Sequence, residues 1–449
     1  MVYRKFVLAA LPGLLIASSI GAQEREFVPV TDEMLQNPDP ADWLSWRRTL
    51  NHWGYSPLGQ IDRDNVSNLQ LVWTRPLNPG VQEGTPLVYD GVMYFPHPND
   101  FTQAFDAATG DLIWEYRRPV QDDNNDYVLF PSINRNLAIY GNYILDNGAD
   151  NYAYALDART GELAWETEIL DYRLGGQHSG GPIVANGKVV SGRSCAPRGG
   201  PEGCVITAFD ALTGEEVWRR HTIPRPGEPG DETWGGIPWE ERRHVGTWMI
   251  PSYDPELDRV YIGTSVTSPA PKFMMAGNDE QYLYHNSTLS LDGETGEIVW
   301  YMQHVVDHWD LDHPFERLLV DTAIAPDPDA VEWINPRVRP GEVRRVVTGV
   351  PGKTGLVYTV DRDTGAVPLG SPDHRAERHR RGKRRVGRWN HQPRHALHGR
   401  RSGKARLPEP QRRQELPREH LQSAVGRHVH SAPQHLHDGD IEFRGLAAR

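Results

Sequence analysis

The stretch LSLDGETGEIVW at residues 289–300 occurs, with small changes, three more times in the chain. Its shared pattern is D-x-x-T-G-x-x-x-W, and the copies begin at Asp106, Asp157, Asp210 and Asp292. A fifth start, TVDRDTGA, contains Asp361, and DNVSNLQLVW, which ends at Trp73, resembles a degenerate first copy. Repetition on this scale indicates an architecture built from similar units.

Each copy of the repeat predicts a β-hairpin. An aspartate can bond to the backbone of its own turn, and a glycine supplies a positive φ. A strand-like stretch precedes the turn (YAYAL), and another that ends in tryptophan follows it (ELAW). PLVYDGVMYF and PIVANGKVVSG carry Asp-Gly and Asn-Gly at their centres, which predicts further hairpins.

The spacing of the repeats predicts the fold class. Successive repeat aspartates are 51, 53, 82 and 69 residues apart, which leaves room for one four-stranded sheet per repeat. Similar sheets that each pack a tryptophan against the next sheet are typical of a β-propeller. No apolar period of 3.6 residues recurs, which argues against a helical solenoid. We therefore predict an all-β protein.

The last part of the chain differs from the rest in composition. The 449 residues carry a net charge of −12, but residues 367–449 contain 17 Arg and 2 Lys against 8 acidic residues. They also contain 10 of the 19 His, no Tyr and one Trp. Three explanations of this composition are open. The segment is a solvated basic tail that binds nucleic acid or acidic surfaces, a metal-binding His tract, or the product of out-of-frame translation of a GC-rich gene. Because the change is abrupt and falls inside a repeat, we favour the last. We expect a disordered or frameshifted tail and no nucleic-acid partner.

The N-terminus predicts export. In residues 1–22, Arg4 and Lys5 precede a mostly apolar stretch and a small Gly-Ala pair, which is typical of a cleaved signal peptide. An N-terminal anchor is the alternative. No later apolar stretch reaches the roughly 18 residues that a membrane-spanning helix needs. We expect the mature chain in the periplasm.

Two cysteines, Cys195 and Cys204, lie close together in the sequence. Because export leads to an oxidising compartment, a disulfide between them is expected, with two free core thiols as the alternative. The chain contains no C-x-x-C-H motif, so we expect no covalently attached c-type haem.

The repeat, the export signal and WLSWRRTLNHWGYSPLGQIDRDNVSNLQLVW at residues 43–73 together resemble the pyrroloquinoline quinone (PQQ) dependent alcohol dehydrogenases. The resemblance runs from about Val30 to Ala366. It implies an eight-bladed propeller, of which residues 23–366 would form about six blades, the last of them incomplete. It also implies periplasmic oxidation of a small or polymeric alcohol, with transfer of the electrons to a cytochrome c.

The resemblance assigns cofactor-binding roles to six residues: Glu83, Arg135, Ser179, Ser194, Trp248 and Lys353. A guanidinium such as that of Arg135 holds a carboxylate through two parallel bonds. The face of Trp248 would stack on the planar quinone, and Lys353 would stabilise charge on the reactive carbonyl oxygens. A surface ion pair is the alternative for Arg135, and a solvent-facing turn lysine is the alternative for Lys353.

The catalytic base implied by the resemblance is Asp310, in QHVVDHWDLDHPFERLLVD at residues 303–321. It would accept the hydroxyl proton of the alcohol while a hydride passes to C5 of the quinone. Asp307 and Asp312 are alternatives, and purely structural roles for all three aspartates remain open.

The resemblance also implies a Ca²⁺ ion beside the quinone, bound by oxygen ligands and acting as a Lewis acid. The family's glutamate ligand aligns with Pro197, which has no oxygen in its side chain. Glu202 is the nearest substitute, Ser268 stands at the place of the family's asparagine, and Thr267 is a further donor. Asp310 completes the expected set of metal ligands.

Two other functions remain open, because a propeller fold alone does not define a function. One is a non-catalytic propeller that serves as a binding or assembly scaffold. The other is an inactive product of a disrupted dehydrogenase gene, whose open ring would expose strand edges.

Overall fold

A computed structural model provides the fold of the chain. It describes residues 26–372 except 129, 131–132, 196–199, 269–279, 307–308, 328, 330 and 332. The predicted signal peptide, Pro197, Asp307 and residues 373–449 of the tail therefore lie outside the described residues. In the part that is described, no helix is both long and apolar enough to cross a membrane.

The described residues form an all-β protein, as predicted, with five large antiparallel sheets that follow one another along the chain. Sheet 1 consists of β1 (Leu87–Tyr89), β2 (Val92–His97), β3 (Phe101–Asp106) and β4 (Leu112–Arg117). Sheet 2 consists of β5 (Ala138–Tyr140), β6 (Tyr143–Asn147), β7 (Tyr152–Asp157) and β8 (Leu163–Glu168). The next strands are β9 (Gly176–Gln177), β10 (Ile183–Ala185), β11 (Lys188–Gly192), β12 (Ser194–Cys195), β13 (Val205–Asp210) and β14 (Glu216–His221). Sheet 3 has the order β10-β11-β13-β14, and β9 pairs with β12 separately.

Two further sheets complete the described strands. Sheet 4 consists of β15 (Ser252–Asp254), β16 (Arg259–Gly263), β17 (Ser287–Asp292) and β18 (Ile298–Gln303). The strands of sheet 5 are β19 (Leu318–Ile324), β20 (Trp333–Ile334), β21 (Glu342–Gly349), β22 (Leu356–Asp361) and β23 (Leu369–Pro372), in the order β19-β21-β22-β23-β20. The short α-helices are α1 (Asp32–Gln36) and α2 (Asn124–Tyr127), and single 3-10 turns lie at Val66–Asn68, Tyr172–Leu174, Pro201–Gly203, Asp231–Trp234 and Trp239–Glu241.

The repeat forms the turn between the third and fourth strands of each sheet, as predicted. In sheet 4, Asp292 Oδ1 accepts hydrogen bonds from the backbone N–H groups of Glu294 and Thr295, both at 3.1 Å. The N–H of Gly296 donates to the Asp292 carbonyl at 2.9 Å, and Gly296 has φ +68°. The turn therefore needs both the aspartate and the glycine.

The repeat tryptophans connect consecutive sheets. Trp218 lies in β14, the last strand of sheet 3, and its Nε1 donates to the Gly293 carbonyl in the turn of sheet 4 at 3.0 Å. Its ring lies on Gly296, where an added Cβ would come within 2.4 Å of the ring. The rings of Trp114, Trp165 and Trp300 lie in the same way on Gly161, Gly214 and Gly365 of the next sheet. The repeat glycine is thus required for two reasons. It adopts a positive φ, and it has no Cβ that would collide with the neighbouring indole.

The degenerate first copy forms the tryptophan contact but not the strand. Trp73 Nε1 donates to the Ala107 carbonyl at 3.1 Å, and its ring covers Gly110 of sheet 1. No strand is assigned to residues 69–75 in the described structure, and Leu71 and Val72 are both 82% exposed. The anchor is confirmed, whereas this segment lacks the strand that the other copies have.

The N-terminal segment, residues 27–53, contacts all five sheets. Its backbone pairs with sheets 1 and 2 at Trp43–Val88 and Val30–Gly141, and Asp32 Oδ1 accepts from Gly187 N of sheet 3 at 3.0 Å. The carbonyls of Leu50 and Asn51 accept from Tyr253 of sheet 4 and Leu319 of sheet 5 at 3.0 and 3.1 Å. This segment therefore belongs to the same domain as the sheets.

Strand β23 continues sheet 5 beyond Ala366, where we expected the repeat pattern to stop. It pairs with β22 through Tyr358 and Gly370, among others. The described residues hold five sheets and the anchor at Trp73. The eight-bladed ring and the incomplete last blade remain predictions.

Replacing Gly296 by Ala is expected to lower the free energy of unfolding by more than about 2 kcal/mol. The left-handed conformation alone costs a residue with a Cβ roughly 1–2 kcal/mol, and the new methyl would also displace the Trp218 ring. Gly91→Ala is the matched control, because Gly91 has φ +78° but no atom within 4 Å of an added Cβ. Urea unfolding of the two variants tests this, and equal losses would contradict the role of the tryptophan contact.

A buried cluster of carboxyl groups lies between sheets 1 and 2. Asp150 forms a bidentate ion pair with Arg118, with both N–O distances at 2.8 Å. Asp100 and Asp146 are also buried but have no such partner in the described residues. Desolvation is the main cause that raises the pKa of Asp100 to about 8 and that of Asp146 to about 7. Neighbouring carboxylates add to the shift at Asp100, and Arg118 opposes it.

This cluster predicts that the protein loses stability as pH rises from about 4 to 8. The folded state retains protons on Asp100 and Asp146 that the unfolded chain releases near the ordinary aspartate pKa of 3.8, so the stabilisation is complete below pH 4 and is lost through the folded pKa values. Each proton contributes at most about 1.4 kcal/mol per pH unit. Asp100→Asn should reduce this slope in urea unfolding between pH 4 and 8, whereas Asp122→Asn, at an exposed position, should not. An unchanged slope in Asp100→Asn would contradict the prediction.

Candidate functional site

Most of the predicted site residues lie in segments that lead into a strand. Glu83 precedes β1, Arg135 precedes β5, Ser179 precedes β10, Trp248 precedes β15 and Lys353 precedes β22. For the first four of these, the strand is the first of its sheet, so the side chains approach the same edge of four consecutive sheets. Local sequence provides the side chains, and the repeated topology brings them together.

Arg135 lies at the centre of the first group of site residues. Its Nη2 is 2.5 Å from Glu83 Oε2, and its Nη1 donates to the Ser179 carbonyl at 2.7 Å. The guanidinium also lies 5.3 Å from the ring centroid of Trp248. The side chain is only 13% exposed, and burial lowers the pKa of Arg135 despite the opposing effect of Glu83. Four of the six predicted cofactor residues therefore form one cluster.

The indole of Trp248 connects this group to the segment that contains the candidate base. The rings of Trp248 and Phe315 meet edge to face, with centroids 5.3 Å apart. The N–H of Phe315 donates to the Pro351 carbonyl at 3.2 Å. Phe315 was not predicted as a site residue, although it stands in the same sequence phrase as Asp310.

Ser194 is a buried hydroxyl without a visible partner. It is 1% exposed, and its Oγ has no hydrogen-bond partner among the described residues. Gly246 packs against it so closely that an added Cβ would be 2.2 Å from Ser194 Oγ. A buried hydroxyl that has no partner carries a free-energy cost, which a polar ligand atom would relieve.

The predicted disulfide between Cys195 and Cys204 is confirmed, and the alternative of two free thiols is wrong. Cys195 follows Ser194 directly. The backbone N–H groups of His244 and Val245 donate to the two sulfur atoms, each at 3.2 Å. The disulfide therefore fastens the segment that leads to Trp248.

Lys353 binds two aspartates at once. Its Nζ lies 2.8 Å from Asp310 Oδ1 and 2.9 Å from Asp312 Oδ2. Burial alone would lower the pKa of Lys353, but hydrogen bonds and charge from the two aspartates outweigh it and raise the pKa. Lys353 is therefore protonated at neutral pH, and two aspartates hold it although its side chain is 36% exposed.

The two aspartates differ in their surroundings. The Asp312 side chain is 9% exposed, and its Oδ1 also accepts from the Val266 N–H at 3.1 Å. The Asp310 side chain is 76% exposed, and the residue adopts a left-handed conformation with φ +52°. Of the two carboxylates, only that of Asp310 is open to a substrate.

Three of the predicted metal ligands bond to other protein groups in the described residues, Asp310 to Lys353 among them. Glu202 Oε2 lies 3.0 Å from His221 Nε2 and 3.3 Å from Arg225 Nη2. Thr267 Oγ1 donates to the Arg243 carbonyl at 2.7 Å, and Ser268 is half-buried beside it. The described part of the chain contains no group of three or more His, Cys, Asp or Glu side chains that could hold a metal ion.

The residues fit a planar anionic cofactor better than they fit a metal ion. Two cations, Arg135 and Lys353, suit carboxylate and carbonyl oxygens. The indole of Trp248 suits a flat ring, and Ser194 offers the unpaired hydroxyl described above. Ca²⁺ takes six to eight oxygen ligands, and the described residues contain no group of three or more His, Cys, Asp or Glu side chains that could start such a set.

Comparison with known proteins gives a family match over most of the chain. The family model for the PQQ glucose/ethanol/alcohol dehydrogenase β-propeller domain matches residues 43–370. The chain is 35% identical over 351 residues to the dehydrogenase subunit of alcohol dehydrogenase (quinone) from Komagataeibacter europaeus, which covers 73% of this chain and 45% of that protein. It is 33% identical over 349 residues to the quinohemoprotein alcohol dehydrogenase ADH-IIG of Pseudomonas putida, again with 73% and 45% covered.

Solved structures give the same result. The quinohemoprotein alcohol dehydrogenase ADHIIG from Pseudomonas putida HK5 superposes with a TM-score of 0.67 at 30% identity, over 77% of this chain and 51% of that one. A europium-containing methanol dehydrogenase gives a TM-score of 0.66 at 26% identity, over 76% and 60%. The chain spans about half the length of the curated relatives it matches.

Proposed function

The chain belongs to the PQQ-binding glucose/ethanol/alcohol dehydrogenase family of β-propeller proteins, and from this premise we propose that it oxidises an alcohol to an aldehyde or a ketone. PQQ, when bound, supplies the carbon, C5, that accepts the hydride. The observation that carries the proposal is the pairing of Lys353 with Asp310 and Asp312, linked through Phe315 to Trp248.

Arg135, Ser194 and Trp248 bind the cofactor in this proposal. Arg135 exchanges part of its contact with Glu83 for a carboxylate of PQQ, because a guanidinium can serve two acceptors along different edges. Ser194 donates its free hydroxyl, and Trp248 covers one face of the ring. Glu83 and Ser179 keep Arg135 in place through the contacts described above.

Asp310 acts as the base. Its exposed carboxylate accepts the hydroxyl proton of the alcohol as the C–H hydride leaves the same carbon, so the product is a carbonyl compound and the proton remains on Asp310. Lys353 donates from its Nζ to oxygen atoms that gain charge in this step. Asp312 neutralises the lysine from the buried side. Asp312 remains the alternative base.

A metal ion is part of the proposal by family resemblance alone. Ca²⁺ is the expected ion, with Glu202, Ser268 and Asp310 as its candidate ligands, and one solved relative is a europium-containing methanol dehydrogenase. Since Glu202 and Asp310 pair with other side chains in the described structure, no step of the proposed reaction uses the metal.

The electrons are proposed to pass to a separate cytochrome c in the periplasm. The names of the relatives include a dehydrogenase subunit and a quinohemoprotein, whereas both cysteines of these 449 residues are joined in the disulfide. A disulfide is also consistent with an exported protein.

A scaffold function has less support. A scaffold does not require a buried guanidinium beside an indole, or a lysine shared by two aspartates with one of them open to solvent. The sequence relatives named above are alcohol dehydrogenases. No specific observation favours a binding or assembly role.

Reconstitution tests the proposed activity. The purified chain is incubated with PQQ and either Ca²⁺ or Eu³⁺, and dye reduction is followed with a panel of primary, secondary and polymeric alcohols. We expect reduction that requires both PQQ and an alcohol. Saturable quenching of tryptophan fluorescence by PQQ provides a separate binding measurement. Binding without turnover in either metal would refute the enzymatic activity of this chain.

The frameshift hypothesis for residues 367–449 has its own test. The gene is resequenced across the codons for Asp361 to Asp373 and translated in all frames. We expect another frame to restore alternating strands and further tryptophan repeats. If no frame does so, the tail is genuine and the prediction of an eight-bladed ring fails.

A further inference from the structure

We propose that His313 is a positioning residue that holds the carboxylate of Asp312 and the ammonium group of Lys353 in one fixed arrangement. The inference rests on the proposed function, because it gives His313 a role in presenting these groups to the alcohol and the cofactor. No sequence motif singles out His313. Its role follows from the contacts of its buried ring.

The His313 ring connects two segments of the site. Its Nδ1 hydrogen-bonds to the Leu311 carbonyl at 2.5 Å, and its Nε2 hydrogen-bonds to Thr354 Oγ1 at 3.3 Å. Burial, followed by the charge of Arg317, lowers the pKa of His313 to about 4, so the ring is neutral at pH 7. A neutral imidazole has one donor and one acceptor. Nδ1 therefore donates to the carbonyl, and Nε2 accepts from the threonine hydroxyl.

The ring also packs directly on the backbone before Lys353. A Cβ added to Gly352 would lie 2.4 Å from His313 Cγ and 2.4 Å from the Asp312 carbonyl oxygen. The adjacent Lys353 N–H donates to the same Asp312 carbonyl at 3.0 Å. Lys353 and Asp312 are thus connected by a backbone hydrogen bond and by a side-chain ion pair. The His313 imidazole packs against the backbone of Gly352, next to this connection.

Residues in or next to sheets 4 and 5 hold the His313 ring in position. His304 follows β18 and stacks on His313, with centroids 4.9 Å apart and an interplanar angle of 9°. Arg317 precedes β19, and its Nη2 donates to the His313 carbonyl at 2.6 Å and to Thr288 Oγ1 at 2.8 Å. Thr288 Oγ1 also lies 2.8 Å from His304 Nε2. All four side chains are buried, so the position of the ring is determined by the core.

Removal of the ring should therefore loosen the site without unfolding the sheets. His313→Ala leaves a cavity between His304 and Gly352 and breaks both imidazole hydrogen bonds. Only the direct contacts between Asp312 and Lys353 then hold these two residues together. A misplacement on the order of 1 Å is enough to cost about 10²-fold in rate.

Amide hydrogen exchange measures this loosening without turnover. The Val266 N–H donates to Asp312 Oδ1, and the Lys353 N–H donates to the Asp312 carbonyl. In His313→Ala we expect both amides to exchange roughly tenfold faster or more, while amides of sheets 1 and 2 keep their protection. In His313→Phe, which retains a stacked ring of similar size but neither imidazole hydrogen bond, we expect only part of the protection to return. Unchanged exchange at both amides in His313→Ala would overturn the proposal.

Steady-state kinetics of the PQQ-loaded protein provide the second measurement. A positioning role predicts that His313→Ala lowers kcat roughly tenfold or more and changes KM less than about twofold, with partial recovery in His313→Phe. His97→Ala is the matched control, because His97 is a buried imidazole that packs between Phe95 and Phe101 in sheet 1. An equal loss of kcat in the control would also overturn the proposal.

Two results separate this inference from the proposed function. If the wild-type chain does not oxidise any alcohol, the proposed function fails, while exchange at Val266 and Lys353 still decides the role of His313. If His313→Ala does not fold, Thr354→Val removes only the hydroxyl that bonds to His313 Nε2. We expect faster exchange at the Lys353 amide in that variant, and no change there would refute the positioning role.

Discussion

Asp310→Asn is expected to lower kcat about 10²–10⁴-fold, which is the usual range for loss of a general base. An asparagine retains the size of the side chain and can still accept a hydrogen bond from Lys353 through its amide oxygen, but it cannot take up the hydroxyl proton of the alcohol. The carboxylate is 76% exposed, so the substitution should not disturb the core. The measurement is kcat with saturating PQQ and alcohol, together with the PQQ dissociation constant, which should change little.

Asp312→Asn is the companion variant. Asp312 is buried and accepts from Val266 N–H as well as from Lys353, so its replacement should lower thermal stability and reduce kcat by a smaller factor, roughly tenfold. If Asp312→Asn loses more kcat than Asp310→Asn at equal stability, the base is Asp312 and the assignment of Asp310 is wrong.

The parts of the fold that could be predicted from the sequence are those defined by short segments. In D-x-x-T-G, the aspartate, the threonine and the glycine all act within one turn, as Asp292 and Gly296 illustrate. Trp73 shows the limit of such reasoning. The same local phrase predicted both its anchor and a strand, but residues 69–75 have no strand partner in the described structure, because a strand requires a neighbour that a local pattern does not specify.

The candidate site was predicted only in part, for a similar reason. Arg135 and Trp248 are 113 residues apart. The prediction that they belong to one site came from the family resemblance, because their sequence spacing does not indicate it. The sequence phrase WDLD could not distinguish Asp310 from Asp312, since exposure depends on the left-handed backbone at Asp310 and on the distant Val266 N–H. His313 carried no signal at all. A buried imidazole is identified by its stacking and by the glycine above it, and neither can be read from one sequence.

The second large effect is expected for Lys353→Met, which should lower kcat about 10²–10³-fold, as for loss of a donor that stabilises developing charge. Methionine has a similar length and an apolar tip, so the substitution removes the ammonium group and leaves the carboxylates of Asp310 and Asp312 without the cation that separates them. Their repulsion should also move Asp310 away from its position.

Lys188→Met is the matched control for this variant. Lys188 also forms an ion pair, with Glu294 at 2.7 Å, but it lies on β11 rather than among the predicted site residues. Its substitution should leave kcat within about twofold, because this ion pair touches no reacting group and its carboxylate is 58% exposed, where a lost pair costs roughly 0–1 kcal/mol of stability. If Lys353→Met retains more than about a tenth of the wild-type kcat, the lysine does not stabilise charge in the reaction. Its contacts with the two aspartates then serve only to hold the turn at residues 351–354 against residues 310–313.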